Sequence, residues 1–245
     1  MATFSKQDEI EKLARKVKWS TAENYKKHIS VDAGFEENLL KLLRVASDDQ
    51  ERAIVKRRLK SASFPVQKTL AAFEFNESRL PHLNKDQVLE LATCKFIKEY
   101  TNILMIGNCG TGKTHAATAI GMEAIRLGYS VKFCRACDLA MQLSEAQSDK
   151  RLNGMIKSLH RYDLLVLDEL GYMTFDQRSS NLLFQVLAGR YEVRSTIITS
   201  NLEFSKWPDF LGDPVMVNAL VGRMVQNSAV LNMNGEGYRL RSSKK

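Results

Sequence analysis

Residues 107–114 read G-N-C-G-T-G-K-T. Glycines at the first, fourth and sixth places, a lysine and a threonine follow the apolar run Ile103–Ile106. That spacing fits G-x-x-x-x-G-K-[ST] at every fixed position, in the strand–loop–helix setting the motif requires. Gly107, Gly110 and Gly112 let backbone N–H groups approach an anion with no Cβ in the way. The helix opening at Lys113 aims its positive end at the same place. The chemistry is nucleoside triphosphate binding. Asn108, Cys109, Thr111 and His115 complete the loop and the helix start, Lys113 reaches the β- and γ-phosphates, and Thr114 offers its hydroxyl to Mg²⁺. ATP and Mg²⁺ are the expected cofactors.

Such a site needs a second element. H-R-Y-D-L-L-V-L-D-E-L-G at 160–171 is an apolar strand ending in two acids. The carboxyl edge of an α/β sheet is where ligands bind. Asp168 is placed to hold Mg²⁺, and Glu169 to orient and deprotonate the attacking water. A third strand, R-S-T-I-I-T-S-N at 194–201, also ends in polar groups. Asn201 is the candidate contact to the γ-phosphate or the water, with Thr199 and Ser200 as rivals. An arginine finger, worth about 10³–10⁵ in rate, is expected from Arg223 or Arg239; spacing does not choose between them.

The elements that position these residues follow a simple plan. Only Gly34 of the 13 glycines precedes residue 107, so the first third favours helix. Leu39, Leu40, Leu42 and Leu43 recur at helical spacing. The following D-D-Q-E-R-A-I-V-K-R-R-L-K runs from acidic to basic, as the helix dipole prefers, and Pro65 disfavours helix at Phe64. Residues 1–62 are read as a small helical domain, 63–85 as a connector and 86–245 as the catalytic domain. Strands are expected at 102–106, 130–134, 164–167, 196–199 and 229–233, with helices between them, including 115–128. Strands alternating with helices imply a parallel sheet covered on both faces.

Composition narrows the class. The chain has 245 residues and a net charge of +8, unevenly placed. Residues 67–238 carry 18 basic and 18 acidic side chains, so the excess lies at the two ends. Basic ends on a neutral centre suggest an anionic polymer as partner. No apolar run approaches the ~20 residues that span a bilayer, and the N-terminus lacks the apolar core of a signal peptide; the expected compartment is the cytoplasm. Cys94, Cys109, Cys134 and Cys137 lack a second pair at zinc spacing and are read as reduced thiols.

The motifs resemble the insertion-sequence transposition helper ATPases (IstB) and, behind them, the DnaC-type helicase loaders, both of the AAA+ class. The resemblance runs through S-A-S-F-P and F-E-F within 61–75, the phosphate loop, D-L-L-V-L-D-E-L-G-Y at 163–172, R-Y-E-V-R-S-T-I-I-T-S-N-L at 190–202 and G-E-G-Y-R-L-R at 235–241. It implies an AAA+ core with strand order 5-1-4-3-2. It also implies an ATP site shared between subunits of a homo-oligomer, with Asn201 as first sensor, Arg223 as the finger reaching a neighbour's nucleotide and Arg239 as second sensor. The implied partners are a transposase and duplex target DNA. Two departures stand out: N-C-G-T in the loop where P-P-G-V is usual, and Gly222 before Arg223 where Asp is usual.

For DNA, the candidates are Lys56, Arg57 and Arg58 in K-R-R-L-K, and Lys150, Arg151 and Lys157 in S-D-K-R-L-N-G-M-I-K-S-L-H-R. They would touch phosphates, which position DNA without reading its sequence. A helicase loader and a small-molecule kinase are the rival functions. The paired acids at 168–169 suit water as acceptor better than a kinase substrate.

Overall fold

A computed structural model describes residues 6–211 and 214–237 of the chain. Residue contacts divide it into two units, Met1–Arg57 and Arg58–Lys245. The first is helical: α1 (Lys6–Lys16), α2 (Ser20–Glu23) and most of α3 (Phe35–Ala62). The two helical stretches read after Gly34 form one 28-residue helix, since no Gly or Pro interrupts them. It has Glu36 and Glu37 in its first turn and Lys60 in its last, the order the dipole favours. It stops before Ser63, whose φ is 61°, and Pro65.

The second unit continues with α4 (Lys85–Leu91), α5 (Lys95–Lys98), β1 (Asn102–Ile106), α6 (Lys113–Arg126), β2 (Val131–Arg135), α7 (Ala136–Ser148), α8 (Leu152–Arg161), β3 (Leu164–Leu170), α9 (Gln177–Ala188), β4 (Ser195–Ser200), α10 (Trp207–Leu211), α11 (Pro214–Gln226) and β5 (Ser228–Asn232). The five strands are parallel in the order β2-β3-β4-β1-β5. Read from the other edge this is the expected 5-1-4-3-2. β1 and β4 are buried throughout, as strands covered on both faces must be. Their core side chains pack with those of α7, α9 and Trp207.

Three expected strands shift or lengthen by a residue at their ends, and β3 runs three residues past Leu167 through a break in register: Leu167 faces Ile198, but Leu170 faces Ser200. Three residues of β3 thus oppose two of β4, a bulge of the kind that re-aims side chains beside active sites. Asp168 and Glu169 together stand opposite the single residue Thr199, and Glu169 takes φ 62°. Among the described residues, no helix is long and apolar enough to cross a membrane.

Candidate functional site

The carboxyl ends of β1, β3 and β4 converge on a cavity of about 540 Å³, within the range of small-molecule sites. Gly110–His115, Asp168, Glu169 and Thr199 line it, facing a wall from the connector that includes Phe73, Arg79 and Leu80. The loop after β1 is shaped for close approach. Gly112 has φ 94°, and a Cβ there would stand 2.8 Å from Phe73 Cε2. The connector is therefore part of the site. His115 lines the cavity and also ties the connector down: its Nε2 lies 2.8 Å from Thr69 O and its ring meets Phe73 edge-on at 5.3 Å.

Lys113 is 6% exposed. Its ammonium donates to Gly107 O at 2.5 Å and Asn108 O at 2.7 Å. Burial lowers its pKa, while the neighbouring Cys109, Asp168 and Glu169 act the other way. Those carbonyls satisfy the buried cation. Thr114 Oγ1 is 3.0 Å from both oxygens of Asp168. A hydroxyl beside one carboxylate is the hard-oxygen donor set Mg²⁺ takes when phosphates and water supply the remaining ligands, so these two residues fit that ion.

Thr199 extends the cluster. Its hydroxyl donates to Asp168 Oδ1 at 2.5 Å and accepts the Glu169 N–H at 3.0 Å. Asn201, the preferred candidate at this strand end, does not line the cavity; its Oδ1 is buried without a hydrogen-bond partner. Two further residues were not legible in the sequence. Arg135 ends β2 in register with Asp168, and its Nε lies 3.7 Å from Glu169 Oε2. Tyr172 Oη donates to Cys109 Sγ at 3.2 Å. Strand pairing brings Arg135 to the site, and no local motif announces it.

Arg223 stands apart from this cluster. It lies in the last turn of α11. Its carbonyl accepts from Asn227 N, and Asn227 O in turn accepts from Asn102 N at the start of β1. The phosphate loop leaves the other end of β1, roughly 13 Å away at 3.3 Å per residue. Arg223 is exposed, and its charge is felt by Tyr191 in the turn before β4. Gly222 is exposed with open space where a Cβ would stand, so the departure there removes no packing. Arg239 lies outside the described residues.

The basic candidates differ in availability. Lys150, Arg151 and Lys157 are exposed at α8 and the turn before it. Arg151 is held by Asp149 at 2.5 Å; Lys150 and Lys157 have no ion pair among the described residues. Lys56 and Arg57 are exposed. Arg58 is half-buried and its guanidinium donates to Gly128 O.

The sequence profile of the IstB-like ATP binding proteins matches residues 4–245. The chain is 35% identical over 227 residues to the ATP-binding protein of insertion sequence IS5376 in Geobacillus stearothermophilus, covering 93% of this chain and 89% of that one. It is 34% identical over 213 residues to that of IS232 in Bacillus thuringiensis subsp. berliner, covering 87% and 84%. Among solved structures, the replication initiator DnaA bound to AMPPCP and single-stranded DNA matches with TM-score 0.58 and 25% identity, over 69% of this chain and 50% of that one. The DnaC helicase loader matches with TM-score 0.56 and 20% identity, over 72% and 98%; this last likeness is one of fold.

Proposed function

The chain belongs to the IstB-like ATP-binding proteins and is an ATPase of the AAA+ class, and from that premise we propose that it is a DNA-targeting helper of transposition. It assembles with ATP on duplex target DNA and recruits or activates the transposase of its insertion sequence. Hydrolysis ends the assembly. The observation that carries this reading is the position of Arg223, at the edge of the sheet opposite its own phosphate loop. A single chain thus holds phosphate-binding and water-activating groups without the finger, and a second copy completes the site. The relatives' place in insertion sequences supports the transposase as partner.

In this reading Lys113 exchanges its bonds to Gly107 O and Asn108 O for the β- and γ-phosphates. Thr114 and Asp168 would hold Mg²⁺, which when bound would neutralise phosphate charge. Glu169 takes the proton of the attacking water. Thr199 anchors the Asp168 carboxylate through Oδ1 and the Glu169 backbone through its N–H. Asn201, which does not line the cavity here, would have to turn from its buried, unpartnered position to contact the γ-phosphate or the water; Arg239 acts as second sensor within its own subunit, and Arg223 of a neighbour stabilises the transition-state charge. Residues 1–62 supply oligomer and partner contacts, joined through the 63–85 connector to the ATPase domain at 86–245. Lys150 and Lys157 lead the phosphate contacts, with Arg151, Lys56 and Arg57 in support and Arg58 contributing least.

The test is duplex binding with and without a non-hydrolysable ATP analogue, across a salt series. Binding is expected to need the analogue, to be indifferent to sequence, and to fall with a log–log slope of about 0.9 per phosphate contacted. Tight nucleotide-independent binding to one sequence, or a flat salt response, contradicts it. Capture by a replicative helicase in place of the transposase would instead make the chain a loader.

A further inference from the structure

The segment after β5 reaches across the nucleotide cavity. Met233 N donates to Ile106 O at 2.7 Å, and Glu236 N donates to Arg79 O at 3.0 Å. Asn108 Nδ2 donates to Gly235 O at 3.3 Å. The two glycines flanking Glu236 are pressed against different walls. A Cβ on Gly235 would stand 1.8 Å from Arg79 O, and one on Gly237 would stand 2.6 Å from Cys109 O. Glu236 is thereby fixed where the phosphate loop meets the connector wall that carries Phe73 and Leu80. It is exposed and lines the cavity, with no cation of the described residues at ion-pair distance.

A carboxylate beside a polyanion site needs hydrogen-bond donors, because phosphate oxygens repel it. A nucleoside triphosphate has a vicinal pair of O–H donors in one place, the ribose, between its phosphates and its base. Carboxylates elsewhere take a ribose hydroxyl in the same way. Resting on the nucleotide reading above, we propose that Glu236 accepts hydrogen bonds from the ribose hydroxyls and makes this site selective for ribonucleotides over deoxyribonucleotides. The G-E-G stretch then has a reason: each glycine allows a close approach, and together they hold the carboxylate at the sugar.

The experiment measures equilibrium dissociation constants of the full chain for a non-hydrolysable ATP analogue and its 2′-deoxy counterpart. The wild type is expected to bind the deoxy form about tenfold more weakly, the size of one charged hydrogen bond at an accessible site. Glu236→Ala should bind the ribo form at least as weakly as the wild type binds the deoxy form, with no discrimination left. Glu236→Gln, which keeps an acceptor, should retain part of it. Equal binding of both sugars by the wild type overturns the proposal, as does discrimination that survives in Glu236→Ala. Tighter binding of both sugars by Glu236→Ala also overturns it, since the carboxylate would then face the phosphates. An inosine analogue bound as weakly as the deoxy analogue by the wild type alone would move the contact to the base amine and overturn the ribose assignment. Lys113→Ala separates the premise from the proposal: unchanged affinity in that variant removes the nucleotide site itself, whatever Glu236 does.

Discussion

Thr199 Oγ1 lies 2.5 Å from Asp168 Oδ1 and receives the Glu169 N–H at 3.0 Å. One hydroxyl at the end of β4 thus anchors the Asp168 carboxylate and the backbone of Glu169 within the β3 bulge. Thr199→Val keeps the strand and its volume but removes the hydroxyl. A hydrogen bond to a charged group contributes about 1.5–3 kcal/mol, so turnover is expected to fall at least tenfold. ATP affinity should stay within about threefold, because in the proposed mechanism Lys113 and the loop amides hold the phosphates. Thr199→Ser should remain near wild type. Steady-state hydrolysis with a separate binding titration checks this; normal turnover by Thr199→Val contradicts it.

Arg135 holds Glu169 Oε2 at 3.7 Å with both side chains partly exposed. Such a pair contributes about 1 kcal/mol or less. Arg135→Ala should therefore leave stability unchanged and raise basal hydrolysis several-fold, about threefold, as the carboxylate is released toward water. Glu169→Gln should abolish turnover in either background while ATP remains bound. An unchanged basal rate in Arg135→Ala would make the pair a surface contact without effect on the base.

Arg190 is 1% exposed. Its guanidinium donates to the carbonyls of Leu159, Tyr162, Asp163 and Ser195 and to Thr196 Oγ1. Burial lowers its pKa to about 9, still charged at neutral pH. It joins the end of α8, the start of β3 and the start of β4, all of which precede the catalytic strand ends. Lys cannot reproduce the five-donor fork. Arg190→Lys should lose about 3 kcal/mol, because several carbonyls go unpaired. That corresponds to roughly 6–12 °C in Tm for a chain of this size. A shift within about a degree would show the network to be dispensable.

Much of this architecture was written locally. The phosphate loop, the apolar strands and the paired acids each sit in one short stretch, so sheet order and the positions of Lys113, Thr114, Asp168 and Glu169 followed from pattern and resemblance. What was not legible depends on register and distant packing. Nothing near Arg135 says that strand pairing sets it opposite Asp168. Thr199 and Asn201 are two residues apart at one strand end, and only the bulge, which slips β3 against β4, sets Thr199 on the Asp168 carboxylate and the Glu169 N–H. Phe73 lies 39 positions before Gly112 and reaches it through tertiary packing alone. Arg190 has no signal of its own within R-Y-E-V-R-S-T, and its burial depends on α8, β3 and β4 meeting.

His160 gives a pH signature. Burial lowers its pKa from 6.5, more than the bond to Val186 O raises it, and the Arg190 charge lowers it further. The folded state therefore favours neutral imidazole. Above pH 6.5 both folded and unfolded forms are neutral and His160 adds no pH dependence. As pH falls below that, the unfolded chain takes up the proton first and stability declines until the folded value is passed. Thermal unfolding should show this acid-side loss, and His160→Gln should flatten that part of the profile. A profile identical in both proteins contradicts the assignment.

The central claim is that ATP is held between copies of the chain, and the most direct measurement is hydrolysis by a mixture of two inactive variants. Lys113→Ala lacks the phosphate cation but keeps Arg223; Arg223→Ala lacks the finger but binds ATP. Each alone should be silent in the presence of duplex DNA. Mixed, they should regain turnover, because Lys113→Ala subunits offer Arg223 to the intact phosphate loops of their neighbours. Full activity of Arg223→Ala alone, or a mixture as silent as its components, would contradict a nucleotide clamped between subunits.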